Sequence, residues 1–196
     1  MSNPNIPFGF LDNGLMDGNV PNFGFFTGTL AAANTNSIYG GDVAKPIAGG
    51  NYDVFLAPVG GGETIGGIFL PNFTYLSKSQ GMRSRNRAWL GTSSDLVGTS
   101  QPTCSVVMAK DAVFKVRTAG LSGGPVGQSA VGQNANFAIG PAPGNNLISA
   151  FWLDDSTLGT NPALPFTVYA IDQSPDSDPT SIYNIVYVKF NNLQQP

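Results

Sequence analysis

From Ser37 to Phe190 the chain is a series of short apolar runs, each closed off by glycine, proline, asparagine or aspartate. The runs are Tyr52 to Ala57, Thr64 to Leu70, Phe73 to Leu76, Ala88 to Leu90, Cys104 to Ala109, Val113 to Arg117, Asn136 to Ile139, Ile148 to Leu153, Phe166 to Ile171 and Ile182 to Phe190. Most are rich in Val, Ile, Phe, Tyr or Thr, which suit a pleated, half-buried backbone. No window sustains a 3.6-residue apolar repeat. Ile182 to Phe190, the longest β-branched and aromatic run, suits a central strand. The expectation is a single all-β domain, a sandwich or barrel of jelly-roll or β-tulip-like kind. No repeat of 20–50 residues interrupts it.

The first 36 residues read differently. Asn, Gly, Pro and Phe alternate through Pro7-Phe8-Gly9-Phe10 and Pro21-Asn22-Phe23-Gly24-Phe25-Phe26. Proline removes a donor and glycine admits turns, so a long helix is disfavoured. Yet Phe8, Phe10, Phe23, Phe25 and Phe26 need dry surroundings. Residues 1–36 are therefore expected to form an extended arm, packed on its own domain or on a neighbouring subunit, ahead of a β-rich domain at 37–196. Gly120 to Asn134 is expected as an exposed loop, and Asp172 to Ser181 as a turn-rich connection. The 25 glycines and 15 prolines thus divide between tight turns and an arm.

Composition excludes several chemistries. There is no histidine, so no Ser-His-Asp triad and no imidazole base. One cysteine and no histidine cannot assemble an ordinary zinc site, and Cys104 has no intrachain disulfide partner. It reads as a small buried apolar side chain. With a net charge of −3, general attraction to nucleic acid or an anionic membrane is not expected. No apolar run reaches the roughly 18 residues of a membrane span. Met1 to Phe10 lacks a basic start and an apolar block, so no secretory signal is expected and folding in a reducing cytosol is.

Individual candidates resolve toward structural roles. Gly60-Gly61-Gly62-Glu63-Thr64 lacks the lysine and following helix of a phosphate loop and reads as a turn. Asp154 and Asp155 are adjacent, so on a strand they face opposite ways and cannot form a hydrolytic pair; Asp154 to Pro162 reads as a loop. Asp172, Asp176 and Asp178 lack the glycine and closing glutamate of a calcium loop. Asn72-Phe73-Thr74 fits a glycosylation sequon by chance. No catalytic, cofactor or metal residue is assigned. Arg83, Arg85 and Arg87 stand out: if extended, they place three of the chain's four guanidinium groups on one face. They fit either a solvated edge strand or docking onto an acidic protein surface, where arginine grips carboxylates with paired bonds.

An ordered series of motifs resembles the capsid decoration (cement) proteins of tailed bacteriophages. Ile38-Tyr39-Gly40-Gly41-Asp42-Val43-Ala44-Lys45-Pro46-Ile47 is similar to their aromatic–x–Gly–Asp–x–Val–Lys–Leu signature. Thr64-Ile65-Gly66-Gly67-Ile68-Phe69 resembles their ILGVF strand, and Ala88-Trp89-Leu90-Gly91 their Tyr-Trp-Pro-Gly. Val106 to Arg117 resembles VVDDPxxxFEVQ, Val186 to Gln194 the closing KVLVRINxHQ, and Pro7 to Phe10 the opening PYGFRP. Lys110-Asp111 stands in place of an acidic pair, Lys115 in place of an acidic residue, and the terminal histidine is missing.

The resemblance implies a non-enzymatic virion protein on the outer surface of an icosahedral phage head, made in the bacterial host cytoplasm. It would bind and bridge major capsid subunits and self-associate, a homotrimer being favoured over a dimer, with no cofactor, nucleic acid or membrane partner. The contact set expected is Phe8, Phe10, Phe23, Phe25, Phe26, Arg83, Arg85 and Arg87. A head-fibre or tail-associated receptor- or glycan-binding module is the alternative, and exposed tryptophan or tyrosine in a groove would favour it. Charged residues make up 11% of the chain, against about 25% in an average soluble domain, which suits a protein that works inside an assembly.

Overall fold

The computed structural model describes residues 3–15, 25–60, 63–141, 147–175 and 177–193. Among them there are fourteen strands and no α-helix. In chain order these are β1 (Leu11–Leu15), β2 (Phe25–Leu30), β3 (Ser37–Tyr39), β4 (Val43–Ile47), β5 (Asn51–Val54), β6 (Gly67–Leu76) and β7 (Arg83–Asn86). They continue with β8 (Ala88–Leu90), β9 (Thr103–Val107), β10 (Ala112–Arg117), β11 (Asn134–Ile139), β12 (Phe151–Gly159), β13 (Phe166–Ile171) and β14 (Ile185–Phe190). The chain is all-β, as the spacing of its apolar runs predicts.

Five strands close on themselves in the order β4-β5-β2-β9-β6, with β6 returning to β4, and β7 extends β6 outward. Only the β2–β5 pairing in this barrel is parallel. A second, open sheet runs β1-β10-β14-β13-β11-β12, and β3 with β8 forms a two-stranded ribbon. Closure removes sheet edges, which otherwise invite mispairing.

Period-2 alternation builds the open sheet. Ala112, Phe114 and Val116 on β10, with Val186, Val188 and Phe190 on β14, are buried, while Lys115, Arg117, Tyr187 and Lys189 lie at the opposite phase. Phe114 meets Phe190 edge-on at 4.9 Å, and Phe190 meets Phe166 at 6.0 Å. The two sheets share one apolar core, joined where Phe55 meets Phe137 at 5.4 Å and where Asn136 Nδ2 donates to the Val59 carbonyl at 2.9 Å.

Three sequence expectations change. Residues 3–15 and 25–30 are extended, but they belong to the body: β2 is a barrel strand between β5 and β9, and β1 is an edge strand on β10. The division at 36/37 therefore marks no separate arm among the described residues. Apolar side chains such as Phe10 and Leu30 bury completely there, which a detached arm could not do. Second, Thr64 to Leu70 and Phe73 to Leu76 fall largely within one strand, β6, broken by a bulge between Phe69 and Phe73 that contains Pro71. Proline cannot donate to the ladder, so a bulge is where a strand tolerates it. Third, Asp154 to Gly159 is strand, not loop. Its loop-like composition reflects local bonds, with Ser156 N and Oγ donating to Asp154 Oδ1 and Thr157 Oγ1 to the Asp154 carbonyl. Gly120 to Asn134 is only partly the exposed loop expected, since Val126 and Ala130 are buried.

Candidate interaction face

The strand order β2-β9-β6-β7 brings four separate sequence segments to one outward surface. Register defines its rows. Thr29 faces Thr103, Thr103 faces Thr74, and Thr74 faces Arg85. In the next row Thr27 faces Ser105, and Asn72 Nδ2 donates to Ser105 Oγ at 2.9 Å. The bulge beside Pro71 is what turns Asn72 toward that row. At one end Phe25 faces Val107, and at the other Leu76 faces Arg83. The result is a groove of about 460 Å³ lined by Thr27, Asn72, Thr74, Arg83, Arg85, Thr103 and Ser105.

The electrostatics of this groove are one-sided. Arg85 Nε donates to Asn72 Oδ1 at 2.9 Å. Neither Arg83 nor Arg85 pairs with a carboxylate among the described residues, whose ion pairs are Lys45–Glu63 at 3.7 Å and Lys115–Asp172 at 2.8 Å. Among the described residues no acidic side chain lines the groove. Exposed Phe25 (51%) and Leu76 (42%) flank it on the same face.

The expected contact residues therefore separate. Arg83 and Arg85 share the groove, Arg85 and Arg87 share the adjoining cleft near Trp89, and Arg87, beyond the end of β7, also lines a cleft near Phe10. The three arginines thus span two adjoining clefts that meet at Arg85. Phe26, one residue from Phe25, points the other way and meets the Tyr52 ring edge-on at 6.5 Å while staying half exposed. Phe10 leaves the contact set. It is 1% exposed and stacked on Phe166 at 4.4 Å, with its N–H bonded to the Gly41 carbonyl. Phe8 lies under the Arg117 guanidinium, 4.9 Å from ring centroid to Cζ. Phe23 lies outside the described residues.

A second polar feature sits at the joint between barrel and N-terminal segment. The Tyr39-Gly40-Gly41-Asp42 turn receives Phe10 N–H on Gly41 and sends Gly41 N–H to the Phe69 carbonyl. Gly9 and Gly41 both have positive φ (75° and 94°), and a side chain on Gly9 would press against Ser149. Asp42 is buried beside this turn. Oδ2 accepts the Tyr39 N–H at 2.8 Å, and Oδ1 has no partner within hydrogen-bond geometry. Burial pushes its carboxyl up to about 7, against the smaller opposing effects of Ser149 and the Tyr39 N–H.

The remaining sequence candidates are structural. Cys104 is buried in the barrel, its thiol pushed up to about 12 by desolvation. Asp155 caps the Leu121 and Ser122 N–H groups, while Asp154 bonds within its own strand. Asp172 holds Lys115, and Asp178 caps Thr180; Asp176 lies outside the described residues. Burial raises the Asp172 carboxyl, but the bonds from Lys115 and Ser174 outweigh it and leave the group below its ordinary range. Among the described residues no three His, Cys, Asp or Glu side chains gather for a metal, and no helix is long and apolar enough to cross a membrane. Trp89 and Trp152, the side chains a glycan groove would expose, are both buried.

Sequence reading passed over Thr27, Thr103 and Ser105, and took Asn72 and Thr74 only as a chance sequon. Their signal is polar identity at every second position of apolar strands. Comparison of the chain with protein-family models, with curated proteins and with solved structures gives no match in any of the three.

Proposed function

We propose that this chain is a non-enzymatic structural protein of a bacteriophage virion, binding the outer surface of an icosahedral head and bridging neighbouring major capsid subunits. The supporting observation is the outward barrel face, where Arg83 and Arg85 lie without carboxylate partners among the described residues, between exposed Phe25 and Leu76. Aromatic and arginine side chains with few other charges are the composition of an interface centre. The low overall charge and the ordered series of cement-like motifs point the same way. On this reading each copy contacts more than one capsid subunit, so linked contacts raise avidity steeply. Binding the assembled shell alone stabilises that state by mass action. Self-association, as a trimer rather than a dimer, would multiply the contacts further.

The test is cosedimentation with assembled shells of the major capsid protein from the phage that encodes this chain. At physiological salt the chain is expected to pellet with shells and to stay in solution with unassembled capsid subunits. A chain that stays in the supernatant with shells overturns the reading.

A further inference from the structure

We infer that the groove across β2, β9, β6 and β7 is a carboxylate slot, receiving an aspartate or glutamate side chain from the protein surface on which this chain sits. That the surface belongs to a capsid rests on the reading above; the chemistry of the slot does not.

Three observations carry it. The first is charge. Arg83 and Arg85 are alternate residues of one strand, so their Cα atoms stand roughly 7 Å apart and their side chains share a face. Both are exposed in a chain of net charge −3, and no described carboxylate reaches either one. The second is preorganisation. Ser105 accepts from Asn72, and Asn72 accepts from Arg85 Nε. This chain fixes the guanidinium and leaves its terminal N–H groups as the fork that matches two carboxylate oxygens. The third is the floor. Thr27 and Thr74 supply hydroxyls that can donate, the Thr103 hydroxyl is given to the Thr74 carbonyl, and the one amide oxygen, on Asn72, is turned to Arg85. No carboxylate among the described residues lines the groove to repel an anion.

The surroundings favour a protein carboxylate over a phosphate. Phe25 and Leu76 lie at either end of the same face, where a protein surface would cover them. Among the described residues the groove is lined by no lysine and by two arginines, too few cations to track a polyphosphate backbone.

The experiment is a titration of the ¹⁵N-labelled full chain, followed at the arginine Nε–H signals and, in every variant, at the backbone amide signals of β6, β7 and β9, with hexaglutamate, hexaglutamine and inorganic phosphate. Hexaglutamate is expected to move Arg83 and Arg85 saturably, more weakly as salt rises, while hexaglutamine leaves them in place. Arg83→Glu/Arg85→Glu is expected to weaken hexaglutamate at least about tenfold, and Arg87→Glu to leave it within about twofold. Arg83→Lys/Arg85→Lys keeps the charge without the fork, and its expected loss is intermediate. No shift, an equal shift with hexaglutamine, tighter binding of phosphate, or undiminished binding by the Glu variant would overturn the slot. The two readings separate on shells. Hexaglutamate binding without shell capture supports the slot and removes the capsid reading. Shell capture unaffected by Arg83→Glu/Arg85→Glu overturns the slot and leaves the capsid reading standing.

Discussion

Arg117 on β10 of the open sheet and Arg85 on β7 of the barrel occupy comparable strand positions, at the phase opposite the core, and have opposite fates. Arg117 donates to the Ile6 carbonyl and lies over the Phe8 ring, and burial lowers its affinity for a proton. It serves to hold the N-terminal segment down. Nearby, Lys115 is committed to Asp172 and lies 5.9 Å from the Tyr187 ring. Arg85 takes one neutral acceptor, Asn72, and Arg83 meets no carboxylate. The open sheet turns Arg117 and Lys115 to partners of its own, while the barrel face leaves a prepared set facing outward. Exposure combined with the lack of a carboxylate partner among the described residues, rather than charge alone, marks the arginines available to another molecule.

Substitutions can break this contrast, the largest effects being in the open sheet. Phe10→Ala removes a fully buried ring stacked on Phe166 and is expected to cost about 4 kcal/mol by urea denaturation. A loss under about 1 kcal/mol would mean that residues 3–15 are not integral to the body. Lys115→Ala removes the ammonium facing Asp172, whose carboxylate keeps its bonds from Ser174 and Tyr187, and is expected to cost about 2 kcal/mol, measured in the same way.

The joint at Asp42 gives a pH test. Its folded carboxyl holds a proton up to about 7, against 3.8 unfolded, so the folded state binds the proton more tightly. Stability is then greatest below the unfolded value and declines as pH rises toward 7, levelling off above it. Between pH 5 and 8.5 the expected loss is on the order of 3 kcal/mol. Asp42→Asn should flatten that profile; an unchanged slope would remove Asp42 as its source.

The smallest stability effects belong to the barrel face. Phe25→Ala and Arg85→Ala are each expected to shift stability by less than about 0.5 kcal/mol while weakening capture by shells. Melting curves and sedimentation together check this. A large destabilisation from either would make the face structural and erase the contrast.

How much of this was legible depends on whether the signal was local. The limits of β8 and β13, Ala88–Leu90 and Phe166–Ile171, match their apolar runs. β2 was hidden because Gly28 reads as a turn. Its role is steric: a Cβ there would come within 2.6 Å of the Tyr52 ring, which crosses the barrel interior at that point. β4 was hidden by Pro46, on a strand whose pairing with β6 covers only Val43 and Ala44. For the candidate face, the alternation of Arg83 and Arg85 was visible, but its floor was not. Thr27, Asn72 and Ser105 become neighbours only through strand order, which no local pattern encodes.

The most direct test is hydroxyl-radical footprinting of the chain free and bound to assembled shells. The contrast predicts protection at Phe25, Leu76 and Arg83 to Asn86, with the exposed open-sheet side chains Leu11 and Tyr169 as reactive as in the free chain. Protection of Leu11 and Tyr169 with none on the barrel face would contradict it.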